Sequence, residues 1–148
     1  MQNGIGSWLQ LLSPREQTKM ATIICDIDDT LLRNGTQPIR STIDWLNSHS
    51  SYNVVIVTGR PASTRAKTVA ALKAAGVKYD SLHMNPYSTS ESNKWKAEMA
   101  RKYYNAVLAI DNDGGARRAY SAEGIKSIHP NKLSDKTLTK NIWNGIFR

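Results

Sequence analysis

The sequence has one cysteine, Cys25, which excludes a disulfide framework and a cysteine-based zinc site. A lone thiol inside an apolar run fits a reducing, cytoplasmic setting. No apolar run approaches the ~20 residues of a membrane span. Residues 1–12 lack a basic leading segment and their apolar stretch is short, so a secretory signal is not expected. Internal repeats and low-complexity tracts are missing too. No Gly-x-Gly-x-x-Gly follows the first strong apolar run, which counts against a dinucleotide site. Acids are scarce: 12 Asp and Glu face 20 Lys and Arg, for a formal charge of +8. That balance favours anionic partners such as phosphorylated substrates, nucleotides or nucleic acid, with a soluble basic surface as the plain alternative. The basic residues are dispersed. No arginine stripe interleaved with aromatics marks the base-stacking platform of a dedicated single-strand binder.

What is there suits one compact domain of 148 residues with a core, since 40% of the residues are apolar. Four short apolar runs read as buried strands: Thr22–Cys25, Val54–Val57, Tyr79–Met84 and Val107–Ile110. A weaker fifth is Ile125–Ile128. Continuous rather than alternating apolar runs are the mark of parallel strands covered on both faces. Helix-like stretches lie between them. Ser41–Ser48 has Ile43 and Leu46 at helical spacing. Ser63–Ala75 stops at Gly76, and Gly115–Glu123 stops at Gly124; both are good helix-terminating glycines. Ser92–Tyr104 places Trp95, Met99 and Tyr103 four apart, a stripe read as core. Strands alternating with helices predict an α/β fold: a doubly wound, Rossmann-like three-layer sandwich around a central parallel sheet. Residues 1–20 read as an N-terminal extension, 21–130 as the domain, and 131–148 as a C-terminal packing segment. In the last, Leu138, Ile142 and Ile146 share one face of a predicted helix over Ser134–Phe147.

In open parallel sheets, ligands bind beyond the carboxyl ends of the strands. The residues there are Asp26, Asp28, Asp29 and Thr30 after the first strand, Thr58, Gly59 and Arg60 after the second, and Asp111, Asn112 and Asp113 after the fourth. Acidic and hydroxyl groups thus converge on one sheet edge. Asp26, Asp28 and Asp111 supply hard oxygen ligands of the kind Mg²⁺ accepts while keeping several waters. Two carboxylates two residues apart can also divide labour between nucleophile and general acid/base. A calcium loop at Asp111-Asn112-Asp113-Gly114 would need an acid at 109 and a glutamate at 120; Ala109 and Tyr120 exclude it. Cys25 reads as inert core. His49, His83 and His129 lack metal-ligand spacing and read as structural or surface residues, His83 lying nearest a strand end.

Asp26-Ile27-Asp28-Asp29-Thr30 after one strand, Thr58-Gly59-Arg60 after the next, a lysine on a later helix and an acidic cluster after another strand resemble the four motifs of the haloacid-dehalogenase (HAD) superfamily phosphatases. The resemblance runs from about Thr22 to His129. It implies that Asp26 attacks the phosphoryl group to give an aspartyl-phosphate. Asp28 would be the general acid/base, with its backbone carbonyl on the metal. Thr58 would hydrogen-bond the phosphoryl oxygens, with Gly59 and Arg60 beside it on the substrate, and Asp111 would hold Mg²⁺. A lysine would neutralise the crowded oxygens; Lys94 and Lys96 both qualify, and Lys96, following Trp95, is favoured. Many members have a second acid where this chain has Gly114 and Gly115. Asp113 or Asn112 is left as a substitute, with a turn role for Asp113 the plain alternative.

The gaps 28–53 and 85–93 are too short to hold a cap domain, so the resemblance is to capless members with an open site. Among those it is similar to the phosphatase half of bacteriophage polynucleotide kinase-phosphatase and to bacterial acid phosphatases sharing the Thr-Gly-Arg motif. That implies a phosphomonoesterase acting on nucleotides or polynucleotide 3′-ends, cytoplasmic and of viral or phage kind, or one acting on other small phosphate esters or phosphoproteins. A phosphate-binding module without turnover competes, although Asp26 and Asp28 are both intact. Transfer to an acceptor other than water also stays open.

Overall fold

The computed structural model describes residues 11–138. Its centre is a five-stranded, all-parallel sheet in the order β5-β4-β1-β6-β7, formed by β1 (Thr22–Cys25), β4 (Asn53–Pro61), β5 (Ser81–Asn85), β6 (Ala106–Ile110) and β7 (Ser127–Ile128). Helices cover both faces, so β1 and β6 are buried along their whole length, as their unbroken apolar sequences require. Successive residues of β1 enter opposite cores. Ile23 and Cys25 pack with Ile43, Leu46 and Leu72 from α2 (Arg40–Ser48) and α3 (Arg65–Ala74). Ile24 packs with Met99, Ala100, Ala116 and Tyr120 from α4 (Ser92–Lys102) and α5 (Gly114–Ala122). Each fully buried aliphatic side chain contributes about 1.5–3 kcal/mol, so this double cover holds the strand ends in place.

Gly76 and Gly124 end α3 and α5 at positive φ (74° and 83°). The amides of Val77 and Ile125 return to Leu72 and Tyr120, the bonding pattern of a Schellman turn. Between β1 and β4 lie only a two-stranded hairpin, β2 (Leu32–Arg33) with β3 (Gln37–Pro38), and α2. Asn34 and Gly35 make its tip with φ of 54° and 86°. Between β5 and α4 there is a short loop with one 3₁₀ turn, Thr89–Glu91. Neither gap holds a cap.

Several boundaries differ from the sequence reading. β4 continues through Thr58-Gly59-Arg60 to Pro61, which pairs with Asn85 after a register shift beyond Val57. β5 begins at Ser81, because Asp80 uses both its amide and its carboxylate to bind the backbone of Val54. The fifth strand is only Ser127–Ile128, since Ile125 is taken by the turn after α5. The helix predicted over Ser63–Ala75 starts as a 3₁₀ turn, Ala62–Thr64, and becomes α-helical at Arg65.

Ahead of the sheet, α1 (Pro14–Lys19) is capped by a reciprocal Ser13–Glu16 box, and Lys19 ties it to Asp80 at 3.0 Å. The expected extension is therefore docked over its described part; residues 1–10 lie outside the described residues. In the C-terminal segment, Ser134 accepts from the amides of Lys136 and Thr137, making a turn, and Leu133 and Leu138 pack on the core. The helix predicted over Ser134–Phe147 is thus a turn in its described residues, 134–138, and the rest of it lies outside the described residues.

Candidate active site

Asp26 follows β1, and its amide bonds the Ile110 carbonyl, so the β1–β6 pairing carries one step further and sets Asp26 beside Asp111. Both are buried, at 5% and 0% exposure. Two carboxylates in such a place need a cation. Lys96 supplies it from α4, with Nζ 3.1 Å from Asp26 Oδ1 and 2.6 Å from Asp111 Oδ2. Burial would discharge this lysine, but the two carboxylates outweigh it and hold the ammonium above its ordinary pKa. Burial drives the Asp26 carboxyl up, Lys96 opposes that, and Asp111 adds to it; the outcome is about 7. Lys94 points elsewhere and pairs with exposed Glu91 at 3.5 Å.

The other oxygen of Asp26 faces a different set of groups. Thr30 Oγ1 donates to Asp26 Oδ2 at 3.2 Å and accepts from the Asn112 amide N–H. The Asn112 side-chain nitrogen donates to Asp26 Oδ2 at 3.1 Å and to the Asp28 carbonyl at 2.9 Å. Turned over, the same amide would present its oxygen to those two oxygens. With the amide so turned, Asp26 Oδ2, the Asp28 carbonyl and the Asn112 oxygen would be hard donors of the kind that a divalent cation completed by water accepts. Asp111, expected as a direct ligand, has both oxygens engaged. Lys96 holds Oδ2, and the Asp113 amide donates to Oδ1 at 3.0 Å. The Asp113 carboxylate accepts from Ala116 N at 2.8 Å and so caps α5.

Asp28 sits two residues on, after the backbone has left the sheet. Its side chain is 52% exposed at the mouth of the site and makes a two-pronged ion pair with Arg60, the shortest contact being 2.8 Å. Arg60 also donates to the Gly35 carbonyl at the hairpin tip and to Thr68 Oγ1 on α3. Thr58 is fully buried; its hydroxyl accepts from the Arg60 amide, and its carbonyl accepts from the Trp95 indole N–H at 3.1 Å. Gly59 lies against Ser92, the first residue of α4, where an added Cβ would run into Ser92 Oγ.

The fold thus brings Asp26, Thr58, Lys96 and Asp111 to one sheet edge, with Asp28 and Arg60 outside them. Thr30 was read from sequence only as part of the polar cluster, and Asn112 only as a substitute acid. Their meeting across 82 residues of chain follows from β1 pairing with β6. The remaining candidates sit apart. His49 stacks on Trp45, His83 bonds Tyr103 Oη at 2.7 Å, and His129 caps a 3₁₀ turn. Cys25 is buried in the sheet, where burial first and then Asp26 and Asp111 push its thiol well up, so it is not a nucleophile.

Residues 23–85 match the family model of haloacid dehalogenase-like hydrolases. The match ends before Lys96 and Asp111, which the fold adds. Two solved chains share the fold. One, from the Pnkp1/Rnl/Hen1 RNA repair complex, is 19% identical with a TM-score of 0.58, over 74% of this chain and 42% of that one. The other, from a structure of the Pnkp1/Rnl/Hen1 complex, is 20% identical with a TM-score of 0.58, over 76% and 46%. The chain thus spans less than half the length of either. No curated protein matches it. The chain is haloacid dehalogenase-like in fold, and its residues 23–85 are similar in sequence to that hydrolase family.

Proposed function

We propose that the protein is a Mg²⁺-dependent phosphomonoesterase that works through an aspartyl-phosphate on Asp26, with nucleotide or polynucleotide 3′-phosphates as its substrates. The observation that supports this reading is the division of Asp26: one oxygen is held by buried Lys96, while the other accepts from Thr30 and from the Asn112 side-chain amide, which also reaches the Asp28 carbonyl.

Asp26 attacks phosphorus as the bond to the leaving oxygen breaks, and Asp28, exposed at the mouth, gives that oxygen its proton. Water then attacks the phosphorus of the aspartyl-phosphate; Asp28 takes the proton back, and inorganic phosphate and free Asp26 result. Lys96 keeps a positive charge beside Asp26 throughout, and Asp111 holds Lys96 in place. Bound by Asp26 Oδ2, the Asp28 carbonyl and Asn112, Mg²⁺ would neutralise charge on the phosphoryl oxygens. In this arrangement Asn112 stands beside Asp111 as a further ligand, since each Asp111 oxygen makes one bond and keeps room to accept another.

The absence of a cap in either gap supports access by protruding phosphates, and the net charge of +8 favours polyanions. The solved neighbours belong to an RNA repair complex, which points the same way. The test is hydrolysis of an aryl phosphate with and without Mg²⁺ by wild type and Asp26→Asn; turnover that survives the substitution overturns the mechanism. A screen of 3′-phosphorylated oligonucleotides, mononucleotides and sugar phosphates tests the substrate. Equal rates on all three remove the nucleic-acid assignment.

A further inference from the structure

Asp28 is the proposed acid and base of the reaction, yet it stands where little else would fix it. β1 ends at Cys25, Asp28 lies beyond the sheet, and its side chain is 52% exposed. A free carboxylate in such a place turns among several rotamers, and proton transfer needs it in one. Arg60 supplies the restraint. Its Nε and Nη2 grip both carboxylate oxygens, at 3.0 Å to Oδ2 and 2.8 Å to Oδ1. The grip is itself anchored. The Arg60 backbone sits in β4 with its amide on Thr58 Oγ1. Nη1 donates to Thr68 Oγ1 on α3, and Nη2 also donates to the Gly35 carbonyl at the hairpin tip. Thr68 is fully buried, and the Arg60 side chain is only 15% exposed.

A guanidinium has five N–H groups. These contacts use four of them, one at Nε, both at Nη2 and one at Nη1, and leave a single N–H. Arg60 so placed does not offer a phosphoryl group the two-pronged contact for which arginine is suited. The carboxylate keeps more in reserve. Arg60 covers one edge of it, no described residue bonds the other, and the lone pairs there stay free. The proton that Asp28 carries as an acid belongs on that free edge.

We propose that Arg60 is a positioning residue: it holds Asp28 with the free edge toward the leaving oxygen, and so fits the enzyme for esters of poor leaving groups. Alkyl and sugar phosphates, nucleoside 3′-phosphates among them, release an alcohol only with that proton; activated aryl phosphates release their phenolate without it. The inference rests on the phosphatase reading, and it assigns Arg60 to the acid rather than to the substrate phosphate.

The test compares kcat/KM, which covers the steps up to departure of the leaving group, for β-glycerophosphate and 2,4-dinitrophenyl phosphate. Arg60→Met should lower it about 100-fold for the first and less than about threefold for the second, the mark of a misplaced acid. Arg60→Lys should recover little, because a point charge lacks the fork. In Asp28→Asn, adding Arg60→Met should change the β-glycerophosphate value by less than about threefold, since Arg60 acts through Asp28. Equal falls on both substrates, full recovery in Arg60→Lys, or an undiminished loss in Asp28→Asn would each overturn the proposal. One measurement needs no turnover: the Arg60 Nε–H proton, followed by NMR, should exchange slowly with water in wild type and fast in Asp28→Asn. Equally fast exchange in both overturns the proposal. Failure of the phosphatase reading is seen separately, as no Mg²⁺-dependent release of dinitrophenolate by wild type.

Discussion

Replacing Lys96 with methionine keeps most of its apolar stem and removes the charge between Asp26 and Asp111. Both carboxylates are buried, and both bond the same ammonium, at 3.1 and 2.6 Å. Breaking a buried pair by deleting one partner costs about 3–5 kcal/mol, because the stranded charge has neither water nor counter-ion. At roughly 2–4 °C per kcal/mol for a chain of this size, the midpoint of thermal unfolding at pH 8 without Mg²⁺ should drop by about 6–20 °C. The deficit should depend on pH with a definite sign. The Asp26 carboxyl is raised from 3.8 to about 7 in the fold, chiefly by burial. Its contribution to stability is therefore present in full below about pH 3.8 and is lost as pH rises through about 7. Without Lys96 the carboxyl rises further and the loss with pH steepens, so the deficit at pH 8 should exceed that at pH 5. Lys94→Met, which breaks an exposed pair with Glu91 and a surface contact with the Tyr87 ring, should shift stability by about 1 kcal/mol or less. Thermal scans of the three proteins at both pH values decide the matter. Equal deficits at pH 5 and pH 8, or equal effects of the two substitutions, would refute the assignment of Lys96 as the cation of the site.

Mg²⁺ binding should strengthen as pH rises toward about 7 and level off above it, because Asp26 must shed its proton to serve as ligand; calorimetry in buffers of different ionisation enthalpy should register proton release. Asp113→Ala should cost about 0.5–2 kcal/mol of stability by uncapping α5 while Mg²⁺ affinity is retained; loss of Mg²⁺ binding with unchanged unfolding would make Asp113 a ligand instead. Tyr120→Phe should be neutral or stabilising in chemical denaturation, since the buried Tyr120 hydroxyl has no hydrogen-bond partner among the described residues; a cost above about 1 kcal/mol would show that it has one.

Much of the frame was legible because burial on both faces leaves an unbroken apolar run. β1, the start of β4 and β6 all announce themselves in this way, as do Gly76 and Gly124 at helix ends. The polar residues following those runs then fall on one edge. The hairpin between β1 and α2 is not legible beyond a gap too short for a cap, although Asn34-Gly35 carries the signal of a tight turn. The extension of β4 through Arg60 was not legible, because Thr-Gly-Arg lacks the apolar character of a strand and is held there by pairing with β5. The lysine was half legible. Lys96, Met99 and Ala100 form a buried stripe on α4, but only packing against the sheet shows that the stripe ends at Asp26. The parts played by Asn112 and Thr30 depend on strand pairing across most of the chain, which local pattern does not carry.

Gly59 contributes no side chain, yet it governs where one arrives. Ser92 opens α4 directly against it, with so little room that a Cβ at 59 would also stand 3.2 Å from Ser92 Cβ. Lys96 follows one helical turn later on the same rod. The absent methyl thus acts as a spacer gauge: the reach of the ammonium to two carboxylates on other strands is measured from a position that does no chemistry. Variation at 59 should consequently be felt as a misplaced charge a helical turn away and at the far end of a lysine side chain, while neighbouring surface positions of α4 drift freely.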